Sequence, residues 1–502
     1  MNAPAAPEGP MLDFEIFLTN RCNQACRYCY TRYMRGDKAE KKLTFDQLRR
    51  FADLVSGDRR VRSAFSGPVK LEISGGEPLL EFDLVKKTVD YIRRNKLDFE
   101  LAVATNGTLL NKARVDYFVR NGVDMRISLD GIKKVNDRNR RFAAGGGSVF
   151  EAVTANLRAG FPTRKHMDRC CITPTLTPET VDLLPEIVDF FRHELGVSKL
   201  PIGLEAYEIW DAASIARFRR ALRRMIAGFL GSLRPGSDPA RADAAFAEFP
   251  VRRELKTEDE GRESTSGTLA LHYDGYFYPS PDFVVAPPPL DPKYRIGDVY
   301  SGIDLQKLKT ILDPMLADIA GKCEYRSGPR NPVEGYYWGI VNNYPRSRID
   351  RVLRSTSELN RAFQEETAYY LRLFAAYKRL YTTPGFGDFT HEPRHRGDNK
   401  EIRGLRLAVP HGAALGALRE SLDYFLYSEG RTKALTLDAS AACPPETLDL
   451  LEGLSLYALM KALYLDKAVR VTLRLPAGAL DAERRAYFAG HGVRVAETAA
   501  AA

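Results

Sequence analysis

The chain has 502 residues, 44% of them hydrophobic and 28% charged, which is the composition of a globular protein of roughly two to four domains and excludes a disordered one. Lys and Arg exceed Asp and Glu by 74 minus 65, a net +9 that is modest for this length, and no RNA-binding module fingerprint accompanies it, so no nucleic-acid partner is expected. No apolar run is long enough to span a membrane, residues 1–10 lack a basic flank and an apolar core, and three of the seven cysteines share one loop; a cytoplasmic protein in a reducing compartment, with no membrane partner, is expected.

From the amino terminus, an apolar strand pattern at 14–18 runs into Cys22-x-x-x-Cys26-x-x-Cys29. Strand patterns follow at 69–73, 99–104, 123–127, 169–173 and 199–204, with amphipathic helical stretches at 45–55, 84–94, 113–120, 149–159 and 178–195 between them. Six such units imply a parallel sheet with right-handed crossovers. Sequence turns fall where the predicted strands end: Gly75-Gly76-Glu77-Pro78, Thr105-Asn106-Gly107 and Ser128-Leu129-Asp130-Gly131. Ligands bind at that carboxyl-terminal rim in parallel α/β folds.

The cysteine loop is the most specific signal. Structural zinc and a four-iron cluster both take four ligands, and only three are local; the nearest candidate for a fourth, His166, lies several elements downstream. Three thiolates with one open position suit a metal centre that binds a substrate or cofactor directly. Chance burial of three cysteines and a zinc site completed by a distant ligand are the competing readings.

Cys22-Asn23-Gln24-Ala25-Cys26-Arg27-Tyr28-Cys29, with an aromatic residue before the last cysteine, resembles the signature loop of radical S-adenosylmethionine (radical SAM) enzymes, and Ile73-Ser74-Gly75-Gly76-Glu77-Pro78 is similar to that family's GGEP motif. The resemblance covers nearly half the chain. It implies a partial (β/α)6 TIM-like barrel over 11–234, one [4Fe-4S] cluster on Cys22, Cys26 and Cys29, and S-adenosyl-L-methionine chelating the fourth iron. It further implies that Gly75, Gly76, Glu77 and Pro78 hold the methionine amine, that Tyr28 packs near adenine, and that Asn106, Ser128 and Asp130 lie near the ribose or methionine portion. Arg140 is the candidate for the methionine carboxylate, against a plain surface arginine beside Arg138 and Arg141. Reductive cleavage to a 5′-deoxyadenosyl radical implies a one-electron reductant such as flavodoxin or ferredoxin.

Past a Pro-, Gly-, Ser- and charge-rich linker at 231–267, residues 268–279 read as a hairpin turning at Asp274-Gly275. This stretch and 294–299 resemble the SPASM or twitch extension of peptide-modifying radical SAM enzymes, which places a SPASM-like region at 235–345. That extension carries auxiliary clusters on further cysteines, but Ser280 follows Tyr278-Pro279 here and the upstream position falls among Ser264, Thr265 and Ser266, so a degenerate extension with no auxiliary cluster is expected. Asp282 resembles an aspartate that serves as a base in sulfatase-maturing relatives, with the register one residue off. Cys170, Cys171, Cys323 and Cys443 read as small buried residues. The basic helix carrying Arg217, Arg219, Arg220, Arg223 and Arg224 reads as an amphipathic helix with a solvated charged face.

A helical connector at 346–403 contains a long helix at 357–380, whose Phe363, Tyr370, Phe374 and Tyr377 suggest a core stripe, and a linker at 384–403. Strand patterns at 405–409, 434–437, 469–475 and 493–496, alternating with helices such as 446–465, make 404–498 a small C-terminal α/β domain with no catalytic constellation. The resulting expectation is a radical SAM enzyme that modifies a peptide or protein side chain, a maturase of ribosomally made peptides or of sulfatases. A radical SAM enzyme acting on a small molecule or RNA, and a non-catalytic iron-sulfur scaffold, are the alternatives.

Overall fold

The computed structural model describes residues 13–29, 31, 40–58, 61, 68–161, 163–197, 202–205, 207–232, 268–284, 290–324, 332–381, 401–410, 413, 415–439, 443–465 and 467–498. Of the predicted linkers 231–267 and 384–403, residues 233–267 and 384–400, and with them Ser264, Thr265 and Ser266, lie outside these residues. The chain divides into two compact units, one of Met1–Ile215 with Arg253–Arg361 and one of Ala216–Arg252 with Ala362–Ala502.

In the first unit, β1 (Asp13–Phe17), β2 (Val69–Ser74), β3 (Phe99–Thr105), β4 (Val123–Ile127) and β5 (Cys170–Ile172) form a parallel sheet in the order β5-β4-β3-β2-β1. Alternation assigns the two faces. Phe14, Ile16, Leu71, Ile73, Leu101, Val103, Met125 and Ile127 are buried, and Phe14 meets Phe51 of the helix Phe45–Gly57 edge to face. Glu15 lies opposite Glu72, and Arg126 opposite Ala104, on the other face. Crossover helices begin where the sequence supplies caps: Thr44 and Gln47 form a capping box, Asn111 caps Lys112–Arg120, and Ser148 caps Val149–Gly160.

The sixth predicted strand does not extend this sheet. Within 199–204 only Gly203–Leu204 (β7) is a described strand, and it pairs in parallel with Thr175–Leu176 (β6) as a separate ladder. The predicted helix at 178–195 is likewise divided into a 3-10 turn Val181–Leu183, an α-helix Leu184–Asp189 and a π-turn Phe190–Glu194. The wider last turn accompanies burial of two consecutive side chains, Phe190 and Phe191.

The sheet's other edge is closed from far along the chain. β8 (Thr268–Leu271) runs parallel to β1, and β9 (Phe277–Tyr278) returns antiparallel through a turn at Asp274-Gly275, where Gly275 has φ +89°. Leu269, Ala270 and Leu271 are all buried, as a strand covered on both faces requires. The short antiparallel pair β10 (Gly297–Asp298) and β11 (Gly302–Ile303) and the helices Leu305–Ala320 and Pro332–Val341 follow.

The second unit holds a four-stranded parallel sheet, β12 (Gly404–Ala408), β13 (Thr432–Asp438), β14 (Ala468–Pro476) and β15 (Arg494–Thr498), in sequential order. Right-handed crossovers in that order put Leu415–Tyr427, Pro445–Tyr464 and Ala482–Gly490 on one face, where Leu435, Leu437, Val471, Leu473 and Leu475 are buried.

The basic helix, Ala212–Ser232, buries Phe218, Leu222 and Met225, but part of its charged face is paired rather than solvated: Arg223 donates to both oxygens of Glu366 at 3.0 and 2.7 Å, and Arg219 adds a third bond at 3.0 Å. The two guanidinium groups outweigh burial and hold Glu366 below the usual carboxylate range. Glu366 lies on the long helix, which runs over Arg346–Tyr381; Phe363 is buried, and the side chains of Tyr370, Phe374 and Tyr377 lie outside those described. Among the described residues no helix is long and apolar enough to cross a membrane.

Candidate active site

The cysteine loop leaves the carboxyl end of β1 and is fixed by its backbone on two sides. Ala25 N donates to Arg141 O at 2.7 Å, Arg27 N to Asn139 O at 2.7 Å, and Ala143 N to Asn23 O at 2.9 Å. On the other side, Gly76 N donates to Thr19 O at 2.8 Å and Glu77 N to Arg21 O at 2.7 Å. These contacts explain the two glycines. A Cβ on Gly76 would stand 2.0 Å from Arg21 O, and Gly75, at φ +119°, would place one 2.8 Å from Thr19 O. In this structure the glycines let the turn approach the cysteine loop.

Cys22, Cys26 and Cys29 are half-buried and form no disulfide among the described residues. Cys22 Sγ accepts from Gln24 N at 3.4 Å, Cys26 Sγ donates to Gln24 Oε1 at 3.4 Å, and Cys29 Sγ lies 3.2 Å from Thr31 Oγ1. Burial, with Glu77 and the other two thiols adding to it, pushes the Cys22 thiol up to about 12. A thiolate at Cys22 therefore calls for a cationic partner.

Glu77 is fully buried. Its Oε1 accepts from Leu79 N at 3.0 Å and Thr105 Oγ1 at 2.7 Å, and its Oε2 accepts from Asn106 N at 2.8 Å. Burial pushes its pKa up to about 7 against these three donors. The side chain thus binds the ends of β2 and β3 together, while Pro78 occupies the first turn of the 3-10 helix behind it. Asn106 reaches the loop directly, its Nδ2 donating to Asn23 Oδ1 at 2.7 Å with Cys22 Sγ at 3.9 Å. Ser128 is half-buried at the end of β4, its N–H donating to Thr105 O at 2.9 Å.

Asp130 is the most heavily bonded side chain of the rim. Its Oδ1 accepts from Arg140 Nη2 at 3.0 Å and Thr175 N at 3.1 Å; its Oδ2 accepts from Tyr28 OH at 2.5 Å and Asn139 Nδ2 at 3.2 Å. Arg140 is 7% exposed while Arg138 and Arg141 are exposed, so it is not one surface arginine among three. Its guanidinium lies over the Tyr28 ring at 5.4 Å, and its buried Nε has no hydrogen-bond partner among the described residues. Such a donor, buried and unmet, is costly unless a ligand completes it.

A second group of polar residues occupies the face of the sheet away from the helices. Ser74 Oγ donates to Glu15 Oε1 at 2.6 Å, and Arg126 Nη1 pairs with Glu72 Oε2 at 2.9 Å. Burial, then the nearby Glu72, pushes Glu15 up to about 8, with Asp282 also contributing. Asp282 follows the β8–β9 hairpin on the turn Pro281–Val284; its Oδ2 accepts from Ser280 Oγ at 2.8 Å and its Oδ1 from Tyr207 OH at 3.3 Å. Burial pushes Asp282 up to about 6 although both hydroxyls oppose it. Tyr207 stacks on Trp338 with ring centroids 4.6 Å apart.

The structure brings Cys22, Cys26, Cys29, Tyr28, Asn106, Asp130 and Arg140 into one network of loop and strand ends, with Gly75, Gly76, Glu77 and Pro78 behind the loop. Asp282 belongs to the separate Glu15 group. Thr105 stands in the Thr105-Asn106-Gly107 turn without an expected role, and Asn139, Thr175 and Tyr207 join the sequence-based candidates only through their contacts. Glu15 had a signal, an acid inside an apolar strand; Tyr207, 75 residues from Asp282, had none.

Residues 16–191 match the model of the Radical SAM superfamily. The matched segment is a radical SAM domain. Pre-heme d1 synthase of Dinoroseobacter shibae is 28% identical over 344 residues, 63% of this chain and 76% of that protein. GTP 3′,8-cyclase of Staphylococcus epidermidis is 27% identical over 165 residues, 31% of this chain and 45% of that protein, and an uncharacterized protein of Methanocaldococcus jannaschii is 28% identical over 189 residues, 37% and 60%. The chain therefore spans 60% and 45% of the last two. Among solved structures, native anSMEcpe with bound AdoMet superposes with a TM-score of 0.53 at 16% identity, over 71% of this chain and 98% of that one. The same protein with AdoMet and Cp18Cys peptide gives 0.52 at 16% identity, over 72% and 99%. At this identity the likeness is one of fold, and it matches the partial barrel of parallel strands.

Radical SAM proteins use a [4Fe-4S] cluster and S-adenosylmethionine. The residues present fit both groups: three soft thiols on one braced loop suit iron and sulfide, and the unmet Nε of Arg140, held over Tyr28, suits a carboxylate.

Proposed function

We propose that this chain is a radical SAM enzyme that modifies a side chain of a peptide or protein. When bound, the cluster and S-adenosylmethionine supply one-electron cleavage of the sulfonium and a 5′-deoxyadenosyl radical that removes a hydrogen atom from the substrate. The chain's own residues hold and orient. Cys22, Cys26 and Cys29 ligate iron. Backbone carbonyls of the Gly75-Gly76 turn take the methionine ammonium, since both oxygens of Glu77 are already engaged. Arg140, kept in place by Asp130, takes the methionine carboxylate, and Tyr28 borders the same site. Ser128 and Asn106 face the rest of the cofactor from the ends of β4 and β3.

The observation that carries the peptide reading is Asp282. The extension strand β8 pairs with β1, and the turn after its hairpin buries a carboxylate near neutrality within electrostatic reach of Glu15. Such a group takes a proton from a substrate at neutral pH once hydrogen abstraction has acidified it. The fold likeness covers 71–72% of this chain, and one of the neighbouring structures holds a peptide.

A second reading, action on a small molecule, is favoured by the relatives named for GTP cyclisation and haem d1 synthesis. The test is anaerobic reconstitution with iron and sulfide, then dithionite-driven 5′-deoxyadenosine formation. Stimulation by a peptide fraction, with a mass change on the peptide, is the expected result. Stimulation by GTP or a haem precursor alone would establish the second reading, and no 5′-deoxyadenosine under any condition would refute both.

A further inference from the structure

Among the described residues, the crossover helices of the second unit's four-stranded sheet lie on one face. Parallel sheets are ordinarily covered on both faces, so the other face calls for an explanation. Its residues are not apolar. Along the four strands they are Gly404, Arg406 and Ala408, then Thr432, Ala434, Thr436 and Asp438, then Ala468, Arg470, Thr472, Arg474 and Pro476, then Arg494, Ala496 and Thr498. Gly404, Arg406, Ala408, Ala434, Arg470 and Arg494 are exposed. A floor of glycine, alanine and threonine thus carries four arginines and a single acid.

Register fixes the pattern. Arg406, Thr436, Thr472 and Arg494 stand in one row across the sheet, which separates the two arginines by three strand spacings, about 14 Å. Arg470 and Arg474 stand on β14, one residue pair below and one above that row, about 13 Å apart. Arg406 donates to Asp438 at 2.7 Å; Arg470, Arg474 and Arg494 have no ion-pair partner among the described residues. At the amino-terminal ends of the strands, Arg403, Arg431, Lys433 and Arg470 line a groove of about 390 Å³ with Thr432, Ala434 and Glu401, whose carboxylate pairs with Arg403 at 2.9 Å.

We propose that this open sheet face is a docking surface for an acidic polypeptide segment, whose carboxylates pair with Arg470, Arg474 and Arg494 and whose backbone lies along the small-residue floor. Fork-shaped guanidinium groups suit carboxylates bidentately. Small side chains admit a polypeptide close to the sheet. Among the described residues that point to this face none is aromatic, which leaves it without the stacking platforms single-stranded nucleic acid uses. The inference goes beyond the reading of the barrel and does not depend on it.

The experiment uses the full chain and a fluorescein-labelled peptide of repeated Glu-Ser-Gly, read by fluorescence anisotropy at low and high NaCl, with labelled polyuridylate as the comparison. Expected are saturable peptide binding that weakens with salt, a loss of about tenfold or more in R470E/R474E, and no change in R94E, a charge reversal on an exposed barrel helix. The milder R470Q/R474Q pair, with circular dichroism and melting compared to the parent, gives the same answer if the reversed pair fails to fold. Absence of peptide binding, binding unaffected by either pair, or tighter polyuridylate binding lost in the same variants would overturn the proposal. The 5′-deoxyadenosine assay on these variants reports on the barrel separately, so a failure of one reading is not mistaken for a failure of the other.

Discussion

Two parallel sheets in this chain treat charge in opposite ways. At the barrel rim, Asp130 and Arg140 are almost completely buried, and the carboxylate accepts four hydrogen bonds; on the C-terminal sheet, Arg470 and Arg494 are exposed and have no ion-pair partner among the described residues. Burying ions costs several kcal/mol each unless geometry and further hydrogen bonds repay it, so a charged rim survives only where fixed positions matter. Exposed arginines cost almost nothing to fold and suit association, where solvent-screened charge steers a partner. The contrast separates a site built to place small groups from a surface built to attract.

The sharpest break of the rim is Cys26→Ala. It should abolish iron binding and 5′-deoxyadenosine formation together, and SAM cleavage at parental rate would refute the ligand assignment. Next is Asp282→Asn. If Asp282 is the base, substrate modification should fall by about 10²-fold or more while 5′-deoxyadenosine still forms. The sign of the pH dependence follows from its raised pKa: the basic form accumulates above about 6, so modification should rise with pH through that value in the parent and lose that limb in the variant. A structural role alone would lower both products without removing the limb.

Gly76→Ala comes third. Its Cβ would stand 2.0 Å from Arg21 O, a contact only backbone movement relieves, and denaturant unfolding should show a loss of about 3 kcal/mol together with reduced iron content. Glu15→Gln is fourth and concerns stability against pH. Because burial raises the folded pKa of Glu15 from 4.5 to about 8, the folded state holds a proton that the unfolded state gives up. Its contribution is therefore fully present below about pH 4.5 and is lost as pH rises through about 8, amounting to a few kcal/mol. Unfolding curves at about pH 5 and about pH 8 should differ less in Glu15→Gln than in the parent, and an unchanged difference would show that Glu15 ionises freely.

Much of this was legible in the sequence because periodicity and turn chemistry act locally. Five of the barrel strands fall within a residue or two of their expected positions, since alternation marks a strand with a covered face, and the Asp274-Gly275 hairpin forms where its turn residues stand. The sixth strand is described only at Gly203–Leu204, paired in parallel with Thr175–Leu176 just past β5, because its apolar residues do not record which neighbour they pair with. Nothing local shows that Thr268–Leu271 lies beside β1, roughly half the chain away. The site divides the same way. The three cysteines and the glycine turn carry their own signal, whereas the engagement of both Glu77 oxygens depends on Thr105 and Asn106, and the partner of Asp282 is a tyrosine with no motif around it.

The smallest expected effect tests the other half of the comparison. Arg470→Ala removes an exposed guanidinium that no described residue pairs with, so melting and unfolding should stay within about 0.5 kcal/mol of the parent. Iron content and 5′-deoxyadenosine formation should be unchanged, because Arg470 belongs to the second compact unit and the cysteine loop to the first. A stability loss of 2 kcal/mol or more, on the order of a buried interaction, would mean that the face is covered and that its arginines are structural. A neutral result leaves Arg470 on an open sheet with no folding role, and charge retained without one points to an external partner.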